Sequence, residues 1–307
     1  MYGALGGSRS PNLSPTDKPE RPKAQSRVVR KPLERALEVL NWMVDAPGTQ
    51  WGVREVARGL DLTPSTAHRI LHGLAEQGFV SIDAATGRMS LGSEFFRMAT
   101  KGAARFPFRE AAMPALRGLV ALHDETAWLT TYEARRRQIM MIASVESSHQ
   151  LRTVVRLSEW LPPYYGASGL SVVAFLPADE RETIIEQFQR DHAGHDDVSS
   201  EVTLLRKSLE RARQTGYSRT VGERTPGALG IAAPVFGLGD QVMGSIGISM
   251  ALPRFVLDTE PIVAESVINH AANVSAALRG ERIELEVATP PASPQPKRLG
   301  SVTDGVV

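Results

Sequence analysis

The sequence predicts an α+β chain of two domains: a small N-terminal winged helix-turn-helix, a linker helix, and a larger domain built on an antiparallel sheet with flanking helices. Three observations predict it. At 307 residues the chain exceeds what one hydrophobic core usually organises. A helix restarts at Thr63-Pro64 only a few residues after another stops. From Thr126 onward, short runs of alternating apolar and polar residues are separated by turn residues.

Residues 1–30 hold Pro11, Pro15, Pro19 and Pro22 among Ser, Gly and charge, which offers too little apolar surface to fold alone. A disordered basic arm is expected there, and Lys18, Arg21, Lys23, Arg27, Arg30 and Lys31 either touch phosphates or only solubilise the chain. The winged helix-turn-helix is expected over residues 31–92. Leu33, Ala36, Leu37, Leu40 and Val44 form the apolar positions of a first helix that ends near Pro47-Gly48. A second, from about Val53 to Leu60, stops at Asp61-Leu62. Thr63 then accepts an amide hydrogen bond as N-cap, and Pro64 fits the first turn, where its missing N–H costs nothing. In the third helix Ala67, Ile70, Leu71 and Leu74 recur at i, i+3, i+4 and i+7 and form its buried stripe. Ser65, Thr66, His68, Arg69 and His72 are left outside. Together with Thr63 they are the donor-rich set that a recognition helix brings to base edges and phosphates, the plain alternative being a solvated helix face. After Gly78, F-V-S-I-D-A-A-T-G-R-M-S-L alternates around a tight turn and reads as a wing, with Arg88 in its tip region where it would reach the DNA backbone or minor groove.

A linker helix is expected over residues 93–106, with Phe95, Phe96, Met98 and Ala99 apolar and Pro107 as hinge. The larger domain is expected over residues 107–287. Its first helix, 110–123, has a wider apolar surface than one core contact needs, so part of it is expected to face a second subunit. Strands follow at 126–133, 138–146 and 151–157, and Arg135 to Arg137 make an exposed hairpin turn. Helices are expected at 169–176, 177–190 and 201–215, strands at 229–236 and 242–250, and a closing helix at 261–286. Residues 288–307 are Pro- and Gly-rich and are expected to be a disordered tail.

Composition narrows the function classes. Hydrophobic residues are 42% of the chain and charged residues 22%, enough apolar material for two real cores. There is no cysteine, which excludes disulfide frameworks, thiolate zinc sites and cysteine nucleophiles. No apolar run reaches the roughly 18 residues of a membrane span, so a cytoplasmic protein without a membrane partner is expected. Residues 1–105 hold 15 Lys/Arg against 10 Asp/Glu, and residues 106–307 hold 20 against 24, so a basic module precedes a mildly acidic one. Phosphate neutralisation favours that division, though an imbalance of this size also arises by chance. Enzyme signatures are missing: Gly166-Ala167-Ser168-Gly169 lacks the fifth position of a nucleophile elbow, and Gly237-x-Gly239 has no third glycine or following helix. No catalytic residue and no cofactor is therefore expected. Asp191, His192, His195, Asp196 and Asp197 are read as a polar loop rather than a metal site, because Gly194 leaves the side chains unfixed.

The chain resembles the IclR family of transcriptional regulators. The resemblance rests on R-A-L-E-V-L at 35–40, S-T-A-H-R-I-L at 65–71, G-F-V from 78 with L-G at 91–92, and L-P-P-Y-Y-G-A at 161–167. It continues through A-F-L-P at 174–177, T-G-Y at 215–217 and P-G-A-L-G-I-A-A-P-V at 226–235, so it spans roughly Lys31 to Leu285. It implies a winged helix paired with a GAF-like effector-binding domain, acting as a dimer or tetramer on palindromic double-stranded operator DNA. Pro64 stands where the family often has Lys, which shifts weight to Ser65 and Arg69. The resemblance also implies an effector site at the backbone of Tyr165, Gly166 and Ala167 and at the positions of Gly230, Gly247 and Ser249. Small-acid-binding relatives tend to carry Cys and Ser where this chain has Gly230 and Gly247, so an effector bulkier than a two- or three-carbon acid is expected, aromatic acids among the candidates. Trp128, Trp160, Tyr164 and Tyr165 lie on segments that can line the site, with Trp128 and Tyr165 the expected ring contacts. Two rivals remain open from the sequence, a ligand-free oligomerisation scaffold and an enzyme fused to a DNA anchor.

Overall fold

A computed structural model describes residues 32–194 and 197–281. The basic arm and the C-terminal tail expected from the sequence lie outside the described residues, as do His195 and Asp196 of the polar loop. Among the described residues no group of three or more His, Asp or Glu is placed to hold a metal ion, and no helix is long and apolar enough to cross a membrane. The chain divides into two compact units between Lys101 and Gly102.

The first unit contains α1 (Pro32–Asp45), α2 (Val53–Gly59), α3 (Pro64–Glu76), β1 (Val80–Ile82) and β2 (Met89–Leu91), and α4 (Ser93–Ala104) begins within it. Its core joins Val39, Met43, Trp51, Val56, Ala57, Ala67, Leu71, Val80 and Met89. Ala67 and Leu71 are fully buried, and Ile70 and Leu74 pack against the same core, as the period of α3 predicts. The face of α1 is only partly the expected one: Leu40 packs against the core. Val39 and Met43 turn inward, while Leu33, Leu37 and Val44 are exposed. The helix carries two apolar stripes, and the core takes the second. β1 and β2 pair antiparallel with Val80 opposite Leu91 and Ile82 opposite Met89, and Trp51 makes an isolated antiparallel bridge to Met89.

The second unit opens with α5 (Pro107–His123), whose Pro107 sits in the first helical turn. A six-stranded antiparallel sheet follows, formed by β3 (Thr126–Glu133), β4 (Gln138–Val145), β5 (Trp160–Leu161), β6 (Ser218–Val221), β7 (Ala228–Phe236) and β8 (Val242–Ala251) in the order β5-β4-β3-β8-β7-β6. Strand alternation sorts its side chains into two faces. Ala127, Leu129, Leu229, Ile231, Ile246 and Ile248 face α5 and α9 (Glu260–Arg279) and form the larger core. Trp128, Met141 and Ala232 face the other way, toward α6 (Gly166–Val173). On that side, α6 packs with α7 (Ala178–Asp191) and α8 (Val198–Thr215) in a second core containing Leu170, Val172, Ile184, Phe188 and Leu209.

Three expectations change. Residues 151–157 are not a strand: Leu151, Val154 and Leu157 point to solvent, and the segment meets the sheet through a single backbone bond, Ser158 N–H to the Met141 carbonyl at 2.9 Å. The edge strand is the two-residue β5 instead. β6 stands where no strand was expected. The closing helix stops at Arg279 because Gly280 takes a left-handed conformation (φ 74°) as its C-cap.

Candidate functional site

The polar surface of α3 is built from its N-terminus. Thr63 is extended (φ −71°, ψ 147°), and its hydroxyl accepts from the Thr66 amide at 3.2 Å. The same oxygen lies 3.1 Å from the Ser65 hydroxyl and 2.8 Å from that of Thr66, so three hydroxyls form one cluster at the helix start. One and two turns further on, His68, Arg69 and His72 are exposed, and the two imidazoles lie with centroids 4.1 Å apart and ring planes tilted by 30°. The structure thus brings Thr63, Ser65, Thr66, His68, Arg69 and His72 onto one helix surface opposite the stripe of Ala67 and Leu71.

Arg88 does not join them. Its guanidinium turns back into the unit, donating to the Gln50 carbonyl at 2.7 Å and to the Glu55 carboxylate at 3.1 Å. Glu55 is fixed in turn by the Gly52 amide at 2.7 Å, which makes Arg88 a tie between the wing and α2. The wing tip itself is closed by Asp83, whose carboxylate accepts from the Thr86 and Ala85 amides and is held below the usual carboxylate range by them. Arg54 and Arg58 on α2 are exposed and carry no ion pair among the described residues. The sequence reading passed over them, although two arginines four apart on the polar side of the helix preceding α3 were a visible signal.

In the second unit a cavity of about 490 Å³ opens between the start of α6, the outer face of the sheet and the segment 153–161. Of the residues expected at the effector site, Trp128, Gly166, Ala167, Gly230 and Ser249 line it. The start of α6 can lie there because its surroundings tie it to the sheet. Ser218 and Ser245 donate to the Ala167 and Ser168 carbonyls at 2.6 and 2.9 Å, and Thr220 accepts from the Ala167 amide at 3.0 Å. Gly169 permits the close approach, since a Cβ there would meet the Pro163 carbonyl oxygen at 2.1 Å.

Two expected residues do not line the cavity. Gly247 lies directly across the ladder from Trp128, and a Cβ on it would fall 2.7 Å from the indole ring and 2.3 Å from the Ile231 carbonyl. The missing side chain houses Trp128 rather than a ligand. Tyr165 points its ring away: its hydroxyl bonds His192, and its ring stands edge-on to Tyr164 and Phe188. Burial raises the Tyr165 phenol above its ordinary pKa, helped by the charges of Glu201, Asp191 and Glu223. Tyr164 is raised too, by burial first and then by its bond to Asp191. Trp160 lies under the Arg136 guanidinium, 5.0 Å from the ring centroid. Only Trp128 of the four aromatics reaches the cavity.

The cavity holds residues that no motif flagged. Met141, Val155, Leu161 and Ala228 add apolar wall, while Thr153, Thr220 and Ser168 add hydroxyls. Its charged groups are Arg156, Glu159, Glu223 and Arg224. Glu223 accepts from the Gly166 amide at 2.9 Å, and Arg224 donates through Nη2 to the Tyr165 carbonyl at 2.6 Å. Burial pulls the Arg224 guanidinium down from its ordinary pKa, against the opposing charge of Glu223.

A helix-turn-helix with a paired wing, joined to a sheet domain that encloses a cavity, defines a transcription regulator with a DNA-binding unit and a C-terminal effector domain. The comparisons with known proteins agree. The family model for the C-terminal domain of IclR bacterial transcriptional regulators matches residues 101–276, and that for the IclR helix-turn-helix domain matches residues 32–84. The chain belongs to the IclR family. It is 26% identical over 245 residues to the HTH-type transcriptional regulator KipR of Bacillus subtilis, covering 80% of this chain and 96% of that one. Among solved structures, an IclR transcriptional regulator from Alicyclobacillus acidocaldarius matches with a TM-score of 0.69 at 22% identity, over 80% of this chain and 97% of the other. An IclR homologue from Microbacterium hydrocarbonoxydans complexed with 4-hydroxybenzoate matches with a TM-score of 0.65 at 21% identity, over 82% of this chain and 100% of the other.

Proposed function

We propose that this chain is a sequence-specific regulator that reads operator DNA as a homodimer or tetramer in the cytoplasm, and whose operator affinity is set by an organic acid bulkier than three carbons, with an aromatic ring stacked on Trp128. The cavity carries the reading. At about 490 Å³ it has the size of ordinary ligand pockets, and a two-carbon acid would leave most of it unfilled. Trp128, 4% exposed, lines the cavity with its indole, and Gly230 lies in the same wall. That a chain of this fold accommodates 4-hydroxybenzoate supports the aromatic-acid class.

On the DNA side, Ser65, Thr66, His68, Arg69 and His72 enter the major groove, with Arg54 and Arg58 available to flanking phosphates. The rival is a ligand-free oligomerisation scaffold, and linkage separates the two. An effector that changes operator affinity by some factor has its own affinity changed by operator DNA by the same factor. The test titrates full-length protein with benzoate and 4-hydroxybenzoate, with and without operator DNA. Reciprocal shifts are expected; operator affinity unchanged by acids that do not themselves bind would leave the scaffold reading standing, and acids that bind without any shift would refute effector control.

A further inference from the structure

α3 presents two histidines one turn apart, His68 and His72. The i, i+4 spacing places both on one side of the helix, with Cβ atoms roughly 5–6 Å apart. Both residues are exposed, with ring centroids 4.1 Å apart and planes tilted by 30°. Among the described residues neither ring makes a hydrogen bond or an ion pair, so their nitrogens are not committed to the fold. A neutral imidazole offers one lone pair to a metal, and Zn²⁺, Ni²⁺ and Cu²⁺ favour that donor. With metal–nitrogen bonds of about 2.0–2.1 Å, an ion held by one nitrogen of each ring lies roughly 3 Å from both ring centres. Rings 4.1 Å apart are within the span of a single ion. The helix holds the pair in that relation: Thr63 and Pro64 fix its start, and Ala67 and Leu71 bury its other side. Once one imidazole binds, the second therefore meets the ion at a high local concentration.

We propose that His68 and His72 form a two-imidazole chelate for a late first-row divalent ion, and that this ion and operator DNA exclude one another at α3. The second half rests on the reading of α3 as the recognition helix. Among the described residues no third His, Asp or Glu joins the pair, so water completes the coordination shell and the ion exchanges with solvent. The local charges permit a cation. His68 stands past the first turn of α3, where the repulsion from the positive helix end has faded, and Arg69 is exposed, where water and salt screen its charge. An ion on the pair takes the ring nitrogens that would meet base edges and brings bound water into the volume that the major groove must receive. An ion that weakens operator binding by some factor is itself bound more weakly on the operator by the same factor. The regulator thereby answers to a metal ion at its DNA-reading surface, independently of any effector bound in the second unit.

The test is calorimetric titration of untagged full-length protein with NiCl2 and ZnCl2, with MgCl2 as an oxygen-preferring control. Wild type is expected to take up Ni²⁺ and Zn²⁺ at the pair and no Mg²⁺. His68→Gln and His72→Gln should each weaken Ni²⁺ binding by about tenfold or more, and the double variant should be little worse than either, because a chelate needs both rings. A further variant keeps both imidazoles but moves one. His72→Gln with Gly73→His sets the second ring at i+5, about 100° further round the helix, and should bind Ni²⁺ no better than His72→Gln alone. Gly73 is exposed and an added Cβ meets nothing within 4 Å, so the helix accepts that side chain. In an operator-binding assay, saturating Ni²⁺ should weaken wild type by about tenfold and leave His72→Gln unmoved. Each protein is compared with itself, with and without Ni²⁺, so that a lost base contact cancels. Wild type that takes up no Ni²⁺ or Zn²⁺, or equal uptake by wild type and either the His72→Gln or the shifted variant, overturns the chelate. Operator affinity that Ni²⁺ leaves unchanged or raises overturns the exclusion. The ion titration contains no DNA and so stands apart from the recognition-helix reading, which falls if Arg69→Ala leaves operator affinity unchanged.

Discussion

Two glycines that look equivalent in the sequence do opposite things. Gly230 and Gly247 each stand where small-acid-binding relatives tend to carry a side chain, and both read as added room. A Cβ at Gly230 would meet the Ala167 methyl at 3.3 Å and the Thr220 hydroxyl at 3.7 Å, at the cavity wall. At Gly247 the same atom would strike the Trp128 ring and the neighbouring strand's backbone. Gly247→Ala is therefore expected to destabilise the second unit by about 1–3 kcal/mol, the usual cost of overpacking a core. Gly230→Phe should instead fill the cavity. Loss of 4-hydroxybenzoate binding with a thermal midpoint close to wild type is the expected outcome, and intact binding would refute the placement of the effector beside Gly230.

At the scale of elements, α3 was legible because its signals are local. Thr63 and Pro64 fix the start, and the spacing of Ala67, Ile70, Leu71 and Leu74 fixes the buried side, so the outward residues follow by subtraction. Arg69→Ala is expected to weaken operator binding by about 1–3 kcal/mol, the discrimination of one good base contact, while the unfolding curve stays unchanged. Operator affinity equal to wild type would remove Arg69 from the recognition surface. Elements decided by their partners were less legible. On α1 apolar residues lie both at Leu33, Leu37 and Val44 and at Val39 and Met43, and only the packing partner decides which set meets the core. Residues 151–157 read as a strand, yet the segment lays Thr153 and Val155 against the cavity and leaves Leu151 and Leu157 in water, with no strand period between the two sets. Arg88 reads as a wing-tip cation because its pairing with Glu55 spans 33 residues of sequence. Glu223 and Arg224 escaped for the same reason: between Gly222 and Gly227 they look like turn residues, and only the fold sets them against α6.

Among the described residues, two helices of the chain carry exposed apolar side chains. On α1, Leu33, Leu37 and Val44 fall on one stripe at i, i+4 and i+11, exposed by 71%, 52% and 52%; on α4, Phe96 and Met98 are exposed as well, and that helix buries no residue. A stripe this regular is costly in water at roughly 25 cal/mol per Å² of apolar area, and large exposed apolar surfaces mark association sites. Function sets the same requirement. One recognition helix reads only a few base pairs, and two must meet half-sites about 34 Å apart or a multiple of it, which a symmetric dimer supplies. The active species is therefore expected to have at least twice the chain mass of 33.3 kDa at micromolar concentration. Leu33→Glu combined with Leu37→Glu should shift it toward monomer and weaken operator binding without unfolding the helix-turn-helix, because neither side chain touches the core of Val39 and Met43. Analytical ultracentrifugation beside an operator-binding assay reads both effects. A wild-type chain that stays monomeric at that concentration and still protects both halves of a palindrome would show that the α1 stripe has no such partner.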